Sequence, residues 1–325
     1  MKVSKVGLVL GGGGITGAAY EIATLMAVEL ATGWNPDDAA VVVGTSSGSF
    51  VSSLVRHNAL NLDSLVHPGD DRQDVAERIR RHIYQRGGSA QMRKWVRHGL
   101  APGLRKPGLT LFMGSPAPYF AAGLAEWVTT QIGEKAAIGW PAKPTAIVAY
   151  DIESGSRTAF GTDGSPDAGL AETVAASASI PLLFRPYPIG DRLYVDGGVA
   201  SGTHADLVLG TGTALDLVLV VAPMAATMQR KRARMHERLF DQVGRRSLDE
   251  EKAIIRSAWP DCDIVTLTPS PSVQNAMRPN PMDASRAVPT FMRTLISMKR
   301  KLAHPEVWSV LSHHLEAPRR RSKVS

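Results

Sequence analysis

Two glycine-rich turns, each set between an apolar run and a helix-like segment, constrain this chain more than any other feature. Val6-Gly7-Leu8-Val9-Leu10 runs into Gly11-Gly12-Gly13-Gly14-Ile15-Thr16-Gly17, and Ala39-Ala40-Val41-Val42-Val43 runs into Gly44-Thr45-Ser46-Ser47-Gly48. Short apolar runs of this kind read as strands buried on both faces, the pattern of a parallel sheet. Strand–helix–strand–helix within the first 58 residues predicts an α/β fold, with a mainly parallel central sheet flanked by helices and a C-terminal helical extension.

The first helix is expected over Ala18 to Ala31, carried by Ile22, Leu25, Met26 and Val28 and stopped at Gly33, with Pro36 beyond. The second strand is expected over Ala39 to Val43, and a helix bearing Phe50, Val51, Leu54 and Val55 follows Ser46. Further strands are predicted at Thr145 to Tyr150, Arg157 to Phe160, Arg192 to Val195, Leu215 to Val221 and Ile264 to Leu267. A small-residue helix spans Ala168 to Ala178, and helices near 284–303 and 305–315 close the chain. No repeat or interdomain linker stands out. Residues 1–222 read as the core, with an insertion at about 59–125, and residues 223–325 as a strand and helices completing the same domain, with a basic tail at 317–325.

Charge is uneven. The net charge is +7, which suits an anionic partner or surface. Between Asp71 and Lys106 ten Lys or Arg stand against three acids, and an apolar patch of Leu109, Leu111, Phe112, Met113, Tyr119 and Phe120 follows. This segment reads either as solvated helices packed on the core or as a lid or membrane-contact surface. Met228 to Arg246 is also basic. No nucleic-acid motif accompanies the charge, so no nucleic-acid partner is expected. Cys262 is the single cysteine, which suits a reducing, cytoplasmic setting. The apolar run before the glycines is too short for a signal-peptide core, and no stretch is long enough to span a membrane.

The stretch Gly44-Thr45-Ser46-Ser47-Gly48 fits G-x-S-x-G, a strand-to-helix turn that presents a serine nucleophile at Ser46. A hydroxyl needs a base to take its proton and donors aimed at the oxyanion it creates. The amides of Gly12, Gly13, Gly14 and Ser47 are candidates for that oxyanion hole, with Gly44 and Gly48 shaping the elbow. For the base, His204 alone of the nine histidines lies near a glycine-bounded loop after a strand. Asp196 is the better candidate: it ends a strand, and Gly197-Gly198 turns the chain away behind it. A rival reading takes Gly12-x-Gly14-x-x-Gly17 as a dinucleotide loop, but the second strand does not end in the acid that would hold a ribose.

In these three motifs the chain resembles the patatin-like phospholipases. The matching residues are Gly11-Gly12-Gly13-Gly14-x-x-Gly17, Gly44-Thr45-Ser46-Ser47-Gly48 and Asp196-Gly197-Gly198. Ala178-Ser179-Ile180-Pro181 and Tyr194-Val195-Asp196 also look like that family's approach to its aspartate. The resemblance covers roughly 6–222, weakly so in the basic segment. It implies a Ser46–Asp196 dyad without histidine, cleaving lipid acyl esters through an acyl-enzyme with no cofactor and no metal. A lipid ester is the implied substrate, and the basic segments separately predict peripheral contact at an anionic membrane surface. The sequence departs from the family at Thr16, where an Arg or Lys is frequent.

Overall fold

The computed structural model describes residues 3–60, 69–86, 117–225 and 235–315. Leu109, Leu111, Phe112, Met113, Arg230-Lys231-Arg232 and the basic tail lie outside the described residues, so the lid reading of the apolar patch is not addressed for them. The strands are β1 (Val6–Leu10), β2 (Val41–Thr45), β3 (Thr145–Asp151), β4 (Ser156–Phe160), β5 (Tyr187–Ile189), β6 (Arg192–Asp196), β7 (Leu217–Val221) and β8 (Asp263–Leu267). The helices are α1 (Gly14–Thr32), α2 (Ser47–Arg56), α3 (Arg72–Ile83), α4 (Ala122–Ile132), α5 (Glu134–Ile138), α6 (Leu170–Ser177), α7 (Met235–Ala258), α8 (Pro271–Met277), α9 (Ala287–Leu302) and α10 (Pro305–Leu315).

The parallel strands run in the order β3-β2-β1-β7-β8. β4 and β6 pair antiparallel with β3, and β5 pairs antiparallel with β6. Coverage of both faces explains why β1, β2 and β7 are buried throughout and almost wholly apolar. Leu8, Leu10, Val42, Ile147 and Leu219 point into a core shared with α1, α2, α4 and α6. Val9, Val43, Val148, Val218 and Val220 point the other way, onto Ala205, Val208 and the α7 residues Leu248 and Ile255. Among the described residues no helix is long and apolar enough to cross a membrane.

The mainly parallel sheet flanked by helices is the architecture expected from the sequence; β5, α4, α5, α7 and α8 are not among the expected elements, and the elements that are expected differ at their ends. α1 begins at Gly14 rather than Ala18, because the Gly17 amide already closes the first turn onto the Gly13 carbonyl at 2.8 Å. β2 is displaced two residues from Ala39–Val43, because Ala39 is still held in the Pro36–Asp38 turn by a bond to the Pro36 carbonyl. The strand therefore runs through Gly44 to Thr45 and delivers Ser46 directly to α2. The buried Arg56, at the end of α2, donates to the Asp37, Ala39 and Pro144 carbonyls and to Thr145 Oγ1, which locks α2 to the start of β3.

α2 crosses β1 at Gly48, where a Cβ would lie 2.1 Å from the Leu10 carbonyl oxygen. The obstacle is central-strand backbone, which has no flexible end to yield. Gly48→Ala is expected to lower stability by about 3 kcal/mol or more. Gly210→Ala, where a Cβ meets open space, is expected to stay within about 0.5 kcal/mol of the parent. Denaturant unfolding of both proteins checks the pair, and equal losses would disprove the close approach.

Candidate active site

Ser46 sits at the junction of β2 and α2 with φ 55° and ψ −120°. Positive φ in a residue with a Cβ is strained and holds the side chain clear of both elements. Its neighbours brace it. The Ser46 amide donates to Ser177 Oγ at 2.9 Å, and the Ser177 hydroxyl donates to the Val148 carbonyl of β3 at 2.6 Å. Gly44 and Gly48 face each other across the turn, so that a Cβ on Gly44 would come 2.7 Å from the Gly48 carbonyl oxygen.

Sheet register brings Asp196 to this serine. Along β3, Val148 pairs with Ala159 on one edge and Thr45 on the other, while Ala149 pairs with Thr158 and Asp196. β4 therefore fills one edge, and β2 and β6 meet end to end on the opposite edge. Ser46, one residue beyond Thr45, donates its hydroxyl to Asp196 Oδ2 at 2.6 Å. The other carboxylate oxygen accepts from the Gly198 amide at 2.7 Å. Burial raises the Asp196 pKa from 3.8 to about 6, against the opposing pull of the Ser46 and Gly198 hydrogen bonds.

The glycine loop lies beside this pair, with a distribution of donors that differs from the sequence expectation. The Gly12 amide is committed to the Gly202 carbonyl at 2.8 Å, and the Gly11 amide to Val221 at 3.0 Å. Gly12 is instead a close-approach residue: a Cβ there would stand 3.2 Å from the Ser46 Cβ. The amides of Gly13, Gly14 and Ser47 have no hydrogen-bond acceptor among the described residues. Gly14 adopts φ +62°, and a Cβ on it would strike the Met282 sulfur at 2.8 Å. The Thr16 amide donates to the Pro281 carbonyl at 3.0 Å, so part of the α1 N-terminus is already occupied by the chain's own backbone. That contact, together with the missing ribose acid, argues against the dinucleotide reading.

Ser46, Ser47 and Gly14 open onto a cavity of about 580 Å³. Beyond these serines and Asp70, its side chains are all apolar. They come from α1 (Ile15, Ile22), α3 (Val75, Ile79), α4 (Leu124, Trp127) and α9 (Val288, Phe291).

Three further groups support the site without having been singled out in the sequence. Glu251 of α7 is buried and accepts from Ser201 Oγ at 2.5 Å, Thr203 Oγ1 at 2.6 Å and the Ala205 amide at 2.8 Å. It thereby holds the loop whose Gly202 carbonyl takes the Gly12 amide. Burial raises its pKa, and those three bonds oppose the rise. Ser177 was hidden in a run of small residues, whereas Glu251 shares an i, i+3, i+7 face with Leu248 and Ile255, a pattern that marks it as inward-facing. Glu21, fully buried on α1, is shifted by burial well towards its protonated form, against the neighbouring Ser47 hydroxyl. His204 does not reach Ser46: its Nδ1 bonds Thr45 Oγ1 at 3.1 Å, and burial lowers its pKa to about 3.

A strained serine elbow at the carboxyl end of a parallel sheet, facing a carboxylate and an apolar cavity, is an arrangement chemically capable of acyl transfer. The family model described as patatin-like phospholipase matches residues 8–209, and the chain belongs to that family. Membership implies a lipid acyl hydrolase. Among solved structures, VipD from Legionella pneumophila is similar over 91% of this chain and 67% of its own, at 11% identity and a TM-score of 0.36. No curated protein sequence matches.

The raised Asp196 pKa has a consequence for stability. Between 3.8 and about 6 the folded state binds more protons than the unfolded chain, so stability falls as pH rises through that window. Above it the ionised carboxylate costs about 3 kcal/mol, from a shift of about two units at 1.36 kcal/mol each. Asp196→Asn should therefore melt several degrees above the parent at pH 8, with the gap closing by about pH 4. Thermal unfolding at both pH values tests this, and a gap independent of pH would contradict it.

Proposed function

We propose that Ser46 and Asp196 form a catalytic dyad that hydrolyses lipid acyl esters. The observation that carries this reading is the 2.6 Å hydrogen bond from Ser46 Oγ to Asp196 Oδ2 at the head of the apolar cavity. Asp196 removes the hydroxyl proton as Ser46 Oγ attacks the acyl carbonyl. The carbonyl oxygen becomes an oxyanion, received by the uncommitted amides of Gly13, Gly14 and Ser47. Protonated Asp196 then gives its proton to the departing alkoxide, leaving an acyl-enzyme on Ser46. A water deprotonated by Asp196 attacks that ester, and the fatty acid leaves with Ser46 restored.

A carboxylate is ordinarily too weak a base for a hydroxyl. Its burial here moves its pKa to about 6, closer to working pH, and the short bond removes the need for movement. The cavity supports an acyl chain as the recognised part of the substrate. Its volume of about 580 Å³ falls among those of small-ligand sites, and its walls offer little to a polar headgroup. Phospholipids, lysophospholipids and acyl glycerols share that acyl part. Work at the surface of an anionic bilayer accords with the +7 charge.

A fluorophosphonate probe is expected to label Ser46, and Ser46→Ala to abolish labelling. Asp196→Asn should reduce hydrolysis of a soluble p-nitrophenyl ester at least a hundredfold while staying folded, roughly the share of a general base. The parent's kcat/KM should climb with pH through about 6 and then level, because only ionised Asp196 accepts the proton. His204→Asn, which tolerates the αL backbone at that position, should keep Ser46 labelling. Loss of labelling in His204→Asn, with full activity in Asp196→Asn, would replace the dyad by a histidine-dependent triad.

A further inference from the structure

Helix α9 lies outside the residues matched by the family model, yet it forms one wall of the cavity. Its inner face carries the buried Thr290, Thr294, Met298 and Leu302. A second stripe runs at four-residue spacing through Val288, Met292 and Ile296. Val288 and Met292 line the cavity, Met292 is 51% exposed, and Ile296 lies beyond the cavity lining at 57% exposed. The stripe thus carries apolar surface from the cavity wall to the outside of the protein. Arg293, Lys299 and Arg300 are exposed around it, and none has a carboxylate within ion-pair distance among the described residues. Exposed apolar side chains one turn apart, flanked by unpaired cations, are the pattern of a helix that lies in a lipid interface.

We propose that this face of α9 docks on an anionic phospholipid surface. Met292 and Ile296 enter the headgroup–acyl boundary, and Arg293, Lys299 and Arg300 contact the anionic headgroups. The proposal rests on the reading of the cavity as an acyl site, which it places within reach of the bilayer. Charge favours a lipid surface over a second copy of the chain as the occupant. A self-complementary contact would bring three cations of one copy against three of another, on a protein already at +7.

The test is co-sedimentation of the full chain, at low salt, with vesicles of equimolar phosphatidylcholine and phosphatidylglycerol. The parent is expected to bind them and to bind phosphatidylcholine vesicles much more weakly. Ile296→Glu should lower partitioning by roughly tenfold or more, and the double variant Arg293→Gln/Arg300→Gln by about fivefold per arginine, a difference that added salt removes. Ile138→Glu, a change at a still more exposed apolar residue on α5, should bind as the parent does. An Ile296→Trp variant should shift its emission to the blue when vesicles are added. Parent-like binding by Ile296→Glu, or no vesicle binding by the parent, overturns the proposal. So does a parent dimer that Ile296→Glu converts to monomer, because the face would then be covered by a second copy. Hydrolysis of soluble p-nitrophenyl butyrate by parent and Ile296→Glu alike separates the two readings. If the parent binds vesicles through Ile296 but hydrolyses no ester, the docking surface stands and the hydrolase reading falls.

Discussion

Val148 and Ala149, neighbours on β3, pair with Thr45 of β2 and Asp196 of β6, and this shared edge sets the distance between the serine and the carboxylate. β2 arrives parallel and β6 antiparallel, and the two stop where they meet. The abutment is tight: a Cβ on Gly197 would lie 2.4 Å from the Val148 carbonyl oxygen and 3.2 Å from the Thr45 methyl group. The same Val148 carbonyl receives the Ser177 hydroxyl that holds the Ser46 amide. The serine and the carboxylate are thus fixed by one rigid strand, which suits the 2.6 Å bond on which the proposed dyad rests.

Burial sorts the two titratable groups beside that edge. Desolvation disfavours the charged form of either, so it raises a carboxyl and lowers an imidazole. Asp196 moves to about 6, towards working pH, whereas His204 moves to about 3, away from it. At neutral pH the carboxylate is the group able to accept a proton at this position, and the imidazole is a neutral partner for Thr45. An apolar cavity and a more basic carboxylate therefore go together, because both follow from burial. The same desolvation makes ionised Asp196 a burden on the fold, because two hydrogen bonds only partly offset it.

The parts that the sequence made legible are those in which a local pattern forces a local conformation. An apolar run followed by glycines marks a buried strand and a tight turn, which is why β1, β2, the Ser46 elbow and the Asp196 turn could be placed before any fold was known. Gly33 marked its helix end because it must take φ +75°. The hydrogen-bond roles were not legible, because they depend on residues distant in the chain. Whether a glycine amide is a free donor is decided by Gly202 for Gly12, and by no described acceptor for Gly13 and Gly14. Glu251 stands in the run Asp249-Glu250-Glu251, where charge alone suggests a solvated face. Only its spacing from Leu248 and Ile255 shows that it turns inward.

Thr16 shows how a departure from the family pattern can be absorbed by distant structure. Its side chain is fully buried, its amide is taken by the Pro281 carbonyl, and the neighbouring Met282 lies over Gly14. Tyr84 of the α3 end in turn donates its hydroxyl to the Met282 carbonyl, which ties this strap to the aromatic group of Tyr119 and Phe184. A long cation at position 16 would have to displace the strap or be buried beneath it, and burying a charge is costly. The small side chain leaves room for the strap to close over the loop. The same excursion of the chain leads into α9, so the residues that seal the glycine loop also position the wall of the cavity. Bracing of the glycine loop and the shape of the cavity are in this way coupled through one segment beyond the family-matched core.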